Sequence, residues 1–190
     1  MPRLLRSLAV PALVLLAACG QETVVPTQQD RLAKMNVDQV IYGLEHVMTT
    51  GGVRKANLHG DTAYFKDADS RVDLKGVKLD FFNETTGATS GSLTSKTGKY
   101  DMRTGAMTAT GNAVLTVQGA EGTRTVSSEE LNYDVAGNRI WSDKPTVMKE
   151  GGREVRGASF ESDAKFQNLT VRNAKGTGPG PSQGGGQVRF

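Results

Sequence analysis

Leu131-Asn132-Tyr133-Asp134-Val135-Ala136-Gly137-Asn138-Arg139-Ile140-Trp141-Ser142 is the stretch on which the fold turns. Leu131 and Tyr133 alternate with Asn132 and Asp134, the period of a half-buried strand. Asp134 and Ala136-Gly137-Asn138 supply turn chemistry, and Ile140-Trp141-Ser142 opens a second strand. The unit is a hairpin with an acid at its turn. It is also written 33 residues earlier, as Gly98-Lys99-Tyr100-Asp101, turn, Met107-Thr108-Ala109. Tyr100 matches Tyr133, Asp101 matches Asp134, Met107 matches Ile140 and Val114 matches Val147. Looser copies flank the pair, Ala63-Tyr64-Phe65 with Val72-Asp73-Leu74 before it and Phe160-Glu161-Ser162-Asp163 with Phe166 after it. No such hairpin buries its inner face alone, so the copies must stack. The alternative is unrelated hairpins made alike by β propensity.

Outward from this core the alternation continues. Val77, Leu79 and Phe81 share one face against Lys78 and Asp80, and Ala113, Leu115 and Val117 alternate with Val114 and Thr116. Turn signals recur at Asp67-Ala68-Asp69-Ser70, Thr86-Gly87, Arg103-Thr104-Gly105, residues 119–122 and Glu150-Gly151-Gly152. Their spacing leaves no room for crossover helices. Of 6 prolines, only Pro145 lies between residues 27 and 178, so ladders run almost uninterrupted. Residues 37–47 read both ways, with Val40, Leu44 and Val47 at helical spacing and Val40, Tyr42, Leu44 and His46 in alternation. The class predicted is all-β, an elongated antiparallel jelly roll.

The ends read differently. Residues 1–6 are short and positive, 8–16 are apolar, and Leu16-Ala17-Ala18-Cys19 follows. The apolar run is too brief to span a bilayer, which takes roughly 20 residues. The tetrapeptide resembles a bacterial lipobox, which implies a signal peptide over 1–18 and a lipid on Cys19; an ordinary signal peptide with an incidental cysteine is the alternative. Residues 19–36 are polar and aperiodic, a tether. Residues 176–190, rich in Gly and Pro, read as a disordered tail whose last residues, Gln187-Val188-Arg189-Phe190, are either a frayed end or a peptide ligand.

The 23 basic and 20 acidic residues give +3, and without Arg3 and Arg6 the count is 21 against 20, so no charge footprint for nucleic acid exists. One cysteine excludes a disulfide framework and a cysteine-rich metal site. No cofactor or metal is expected. His59-Gly60-Asp61 and Glu45-His46 lack a third ligand at useful spacing, Ser127-Ser128 has no visible histidine partner, and Asp101, Asp134 and Asp163 stand where Asp forms turns. No catalytic residue is assigned.

The stretch Ser127-Ser128-Glu129-Glu130-Leu131-Asn132-Tyr133-Asp134, then Ile140-Trp141-Ser142-Asp143-Lys144-Pro145, then Gly157-Ala158-Ser159-Phe160-Glu161-Ser162-Asp163, resembles the LptC family of the OstA-like fold. The family pattern is a Tyr-Asp turn, an Ile-x-Ser-Asp-x-Pro strand and a Gly-x-Gly-aromatic-Glu-x-Asp hairpin. Ser159 replaces the second Gly. The match spans about residues 37–175, taken as the domain. The resemblance implies an open, taco-like jelly roll with lipid acyl chains in its groove. It implies a periplasmic protein held at a membrane, here by the N-terminal lipid, with the inner membrane as the first reading and the outer membrane as the alternative. It implies lipopolysaccharide received from the inner-membrane ABC transporter of the Lpt system and passed to the soluble bridge protein LptA by head-to-tail stacking.

Alternation alone offers Val77, Leu79, Phe81, Leu93, Tyr100, Met107, Leu115, Val117, Leu131, Tyr133, Ile140, Val147, Phe160 and Phe166 as groove-lining residues, with ordinary core filling as the competing role. If the family order holds, the C-terminal strands with Phe166, Leu169 and Val171 face the bridge protein, and the N-terminal strands with Tyr42 and Leu44 face the transporter. Two further readings stand beside the conduit: an adaptor lipoprotein with a closed β-sandwich core, and a small envelope hydrolase.

Overall fold

The computed structural model describes residues 27–177 and 186–189. Cys19 and the apolar run before it lie outside them. A short helix, α1 (Gln28–Met35), comes first, inside the segment read as an aperiodic tether. Its start is fixed by a reciprocal cap. The Thr27 hydroxyl accepts from the Asp30 N–H at 3.2 Å, and the Thr27 N–H donates to the Asp30 carboxylate at 2.9 Å. Asn36 in the left-handed conformation ends it.

Among the described residues, strands follow without a further α-helix: β1 (Gln39–Thr50), β2 (Val53–Lys66), β3 (Arg71–Phe82), β4 (Thr89–Asp101), β5 (Ala106–Gly119), β6 (Gly122–Asp134), β7 (Arg139–Ser142), β8 (Thr146–Glu150), β9 (Arg153–Gly157), β10 (Ser159–Asp163), β11 (Leu169–Thr177) and β12 (Gly186–Arg189). The ambiguous residues 37–47 are thus strand, with His46 opposite Leu58. All pairings are antiparallel within one sheet. β6 pairs β7 through Asn132–Trp141 and β8 through Val126–Met148, so β7 and β8 are one line broken at 143–145. β11 pairs β10 through Val171–Phe160 and β9 through Lys175–Arg156, so β9 and β10 are one line broken at Ala158. The topology is then a plain meander, each line beside the next. Ser159, the departure from the family pattern, sits in β10 opposite Arg172.

The meander is creased along one transverse seam. Gly43 falls opposite Asp61, Asp61 opposite Gly76, and Gly76 opposite Lys96. Lys96 meets Gly111 and Asn112 at a register shift, and these meet Glu129 at another. The seam continues through 143–145 and Ala158 to Asn173. Gly43, Gly76, Gly111, Asn112 and Asn173 all have positive φ there, between 52° and 80°. This conformation suits Gly and, next, Asn. At Gly76 an added Cβ would strike the Asp61 side chain.

Crossing the seam inverts which residues point inward on several strands. β3 buries Val72 and Leu74 before Gly76, then Val77, Leu79 and Phe81 after it; β11 buries Leu169 and Val171, then Ala174. The crease divides the sheet into two half-sheets whose inner faces meet. β3 and β6 are three strands apart, roughly 14 Å along the sheet. Yet the Phe81 and Tyr133 rings lie 5.1 Å apart, edge to face, which requires contact across the fold. His46 of β1 reaches Tyr100 of β4 likewise, Nε2 to hydroxyl at 3.0 Å. This is the jelly roll expected.

The chain end departs from expectation. Residues 186–189 form β12 along β11, with Val188 opposite Val171, where a frayed or disordered tail was read.

Candidate functional site

The space between the half-sheets is the candidate site. One buried apolar cluster runs from Met48 of β1 to Ala174 of β11. Val77, Leu79, Phe81, Leu93, Tyr100, Met107, Leu115, Val117, Leu131, Tyr133, Ile140, Phe160 and Phe166 all belong to it, each 8% exposed or less. Thirteen of the fourteen residues offered from alternation are therefore brought together. Val147 is not: it is half-buried on the outer face, and Thr146, Met148 and Glu150 point inward instead. The inward parity carries across the break at 143–145, from Ile140 and Ser142 to Thr146 and Met148, so alternation continued from Ile140 places Val147 outward. The repeat carried the warning, because Val114, the counterpart of Val147, also alternates outward.

The partner-edge residues divide. Tyr42 is 79% exposed on β1, while Leu44 packs partly against the core. Leu169 and Val171 point inward on β11 and are buried. Phe166 lies before β11, in the turn after β10, at φ 59° with its N–H donating to the Asp163 carbonyl at 3.0 Å. Its ring stands 5.4 Å from Phe81. Alternation did not single out Met48, Leu58, Val126, Met148 or Val155, although Leu58 follows Ala56 and precedes Gly60 in a readable row.

The side opposite the crease is the mouth of the fold, where the outer ends of the two half-sheets meet. Phe81, Tyr133 and Phe166 close it from within. Above them lies a polar pocket of about 250 Å³ lined by Lys55, Glu84, Ser90, Asn138, Lys165 and Gln167 among others. Lys55 and Glu84 pair on one wall of it at 2.8 Å, and this hydrogen bond holds the Glu84 carboxyl below its usual range. The Ser90 hydroxyl is buried there without a hydrogen-bond partner. Burial pushes the Tyr133 phenol far up, and the nearby Asp134 and Glu84 charges add to it, so the ring stays neutral and apolar.

The half-sheet that holds β8 and β9 carries a buried ion pair. Arg124 and Glu150, 6% and 8% exposed, meet at 2.7 Å, and the Glu121 N–H also donates to Glu150 at 3.1 Å. Burial pushes the Glu150 carboxyl up, but the hydrogen bonds and the charge of Arg124 outweigh it and hold it below its ordinary value.

The acids at turns cap backbone. Asp101 accepts from the N–H groups of Arg103 and Thr104, both at 2.9 Å, Asp134 from Gly137 at 3.0 Å and Asp163 from Gln167 at 2.9 Å. His59 lies on the outer face beside Asn57 at 3.1 Å, with Glu45 and Asp80 each at 3.6 Å. The Ser128 hydroxyl is engaged by Ser142 at 2.9 Å and by the Pro145 carbonyl at 3.1 Å. Among the described residues no group of three His, Cys, Asp or Glu could hold a metal. No described helix is long and apolar enough to cross a membrane.

Comparison with known proteins completes the description. No curated protein matches the sequence. Among solved structures, LptH of Pseudomonas aeruginosa, described as the LptA homologous periplasmic component of the lipopolysaccharide transport device, is similar at 16% identity and a TM-score of 0.48, over 71% of this chain and 93% of that one. The family described as lipopolysaccharide-assembly, LptC-related, matches residues 8–177, from the apolar run at 8–16 to the last residue of β11. Its members are non-enzymatic, periplasmic components of lipopolysaccharide transport. The chain belongs to the LptC-related family of lipopolysaccharide-assembly proteins.

Proposed function

We propose that this chain is a membrane-tethered conduit, held by a lipid on Cys19 at the inner membrane after removal of residues 1–18. It takes lipopolysaccharide from the inner-membrane ABC transporter into the space between its half-sheets. It then passes the lipid to an LptA-like bridge protein stacked on its C-terminal strands. β1, with Tyr42 exposed, is the transporter side.

The observation that carries this reading is the crease. It turns one meander into two facing apolar surfaces whose buried cluster extends from β1 to β11. A lipid crossing water would expose hydrocarbon at about 0.8 kcal/mol per methylene, on the order of 10 kcal/mol for one chain of a dozen carbons. A continuous apolar face removes that cost, and side-by-side edges let one jelly roll continue into the next. The Arg124–Glu150 pair keeps both of its charges matched, so it opposes the passage of hydrocarbon less than a lone charge would.

Acyl chains can enter only if the half-sheets part at the mouth, because the inward side chains cover one another in this structure. That same burial favours a second reading, an adaptor lipoprotein with a permanently filled core. A photocrosslinking residue at Phe81 or Phe160, used in cells, separates the two. Adducts with lipopolysaccharide at inward positions, and none at outward Val114 or Val147, are expected of the conduit. Silence at Phe81, Phe160 and Leu115 together would establish the adaptor.

A further inference from the structure

The β11 edge is where a following jelly roll would dock on the proposed reading, and the chain covers it with itself. β12 (Gly186–Arg189) lies along β11 with Thr170 opposite Arg189, Val171 opposite Val188 and Ala174 opposite Gly186. The other side of β11 is taken by β9 and β10, so β12 occupies its remaining side. We infer that β12 is a removable guard strand: it occupies the β11 edge in cis and must be displaced by the edge strand of an incoming partner. This inference rests on the docking reading above.

Three observations carry it. The first is position. An uncovered strand edge pairs with whatever backbone reaches it, and β12 makes the hydrogen-bonded ladder a partner strand would make. The second is weakness. β12 has 4 residues, pairs β11 at 3 positions and slips register between Val171 and Ala174, whereas β1 pairs β2 at 11 positions. A short, irregular ladder can be exchanged for a longer one. The third is placement in the sequence. The family match ends at residue 177, where β11 ends, and the guard belongs to the stretch beyond it. Gly178-Pro179-Gly180-Pro181-Ser182-Gln183-Gly184-Gly185 links the two, and its composition gives a short linker that holds β12 near its edge at roughly millimolar effective concentration.

The consequence is a threshold. If β12 is paired about nine-tenths of the time, a partner strand binds about tenfold more weakly than it would to the bare edge. Lone molecules are then kept from joining through their own edges, while a partner offering a longer strand and further contacts displaces the guard.

The test compares the full-length protein with a chain ending at Thr177 and with Gln187→Pro/Val188→Pro, which keeps the tail but removes two backbone donors. The probe is the soluble LptA-like jelly roll of the same cell, with binding measured by interferometry and β11 amides followed by hydrogen exchange. The guard predicts at least about fivefold tighter binding for both variants and faster exchange over 170–177 when no partner is present. A peptide of residues 178–190 added in trans should reverse the gain on the truncated chain. Equal binding by all three proteins overturns the guard and leaves the docking reading standing. Weaker binding by the variants also overturns it, since the tail would then be part of the docking surface. Failure of all three to bind overturns the docking reading itself.

Discussion

The two parts of the meander solve the same bend differently. From β1 to β6 the strands are 12–14 residues long and pass through the seam without ending. Gly43, Gly76 and the Gly111–Asn112 pair absorb the turn in positive φ. From β7 to β10 the strands are 4–5 residues long and stop at the seam. There Pro145 withholds an N–H and the Ser128 and Ser142 hydroxyls satisfy the broken ladder. A long strand can be bent by a residue that tolerates left-handed backbone, or it can be cut and patched with side chains. The first route keeps ladder hydrogen bonds and demands a particular residue; the second gives up bonds and tolerates more residues.

The largest effects should come from the mouth, which both parts share. Phe81→Ala removes the ring that meets both Tyr133 and Phe166, and should cost about 3–5 kcal/mol in denaturant unfolding. A cost below 1 kcal/mol would mean that the half-sheets are not held together there.

Next, Glu150→Ala removes the carboxylate that pairs with the buried Arg124 guanidinium and should cost about 3 kcal/mol. The same pair sets a pH dependence. Because the folded Glu150 carboxyl is held below its ordinary value, its stabilisation is complete above that value and is lost as pH falls through the depressed one. Thermal unfolding from about pH 6 down to pH 3 should therefore show a steeper acid loss in the native protein than in Glu150→Gln.

Smaller effects distinguish the two routes across the seam. Gly76→Ala must adopt positive φ and push aside Asp61, so it should cost about 1–3 kcal/mol. Pro145→Ala sits where the ladder is already cut, and should cost only about 0.4–1 kcal/mol, mostly by loosening the unfolded chain. The reverse order would show that the continuous strands are the more tolerant part.

Much of the fold was legible because the strands of the first part are long. Two or three alternations per half-strand, as in Val77-Lys78-Leu79-Asp80-Phe81, identify an inward face without any tertiary information. Parity was readable within a half-strand and not across the seam. β3 shows why: Leu74 and Val77 both point inward on either side of Gly76, so alternation run through the seam puts one of them on the wrong face. The seam itself is invisible residue by residue, since a glycine in a strand gains its meaning only when Asp61, Gly76 and Lys96 are placed side by side. The helix at 28–35 was signalled by Thr27 and Asp30 at capping-box spacing and was masked by the polar composition around it. β12 had no such signal. A four-residue strand after a Gly- and Pro-rich run is defined only by the edge it finds.

The account depends on the half-sheets separating at the mouth when lipid enters. Spin labels at Thr85 and Lys165, which both line the mouth pocket and come from the turns after β3 and β10, report that separation by pulsed dipolar spectroscopy. The account predicts a short distance in the free protein and a second, longer population on addition of lipopolysaccharide. Lipopolysaccharide bound with the distance unchanged would contradict it.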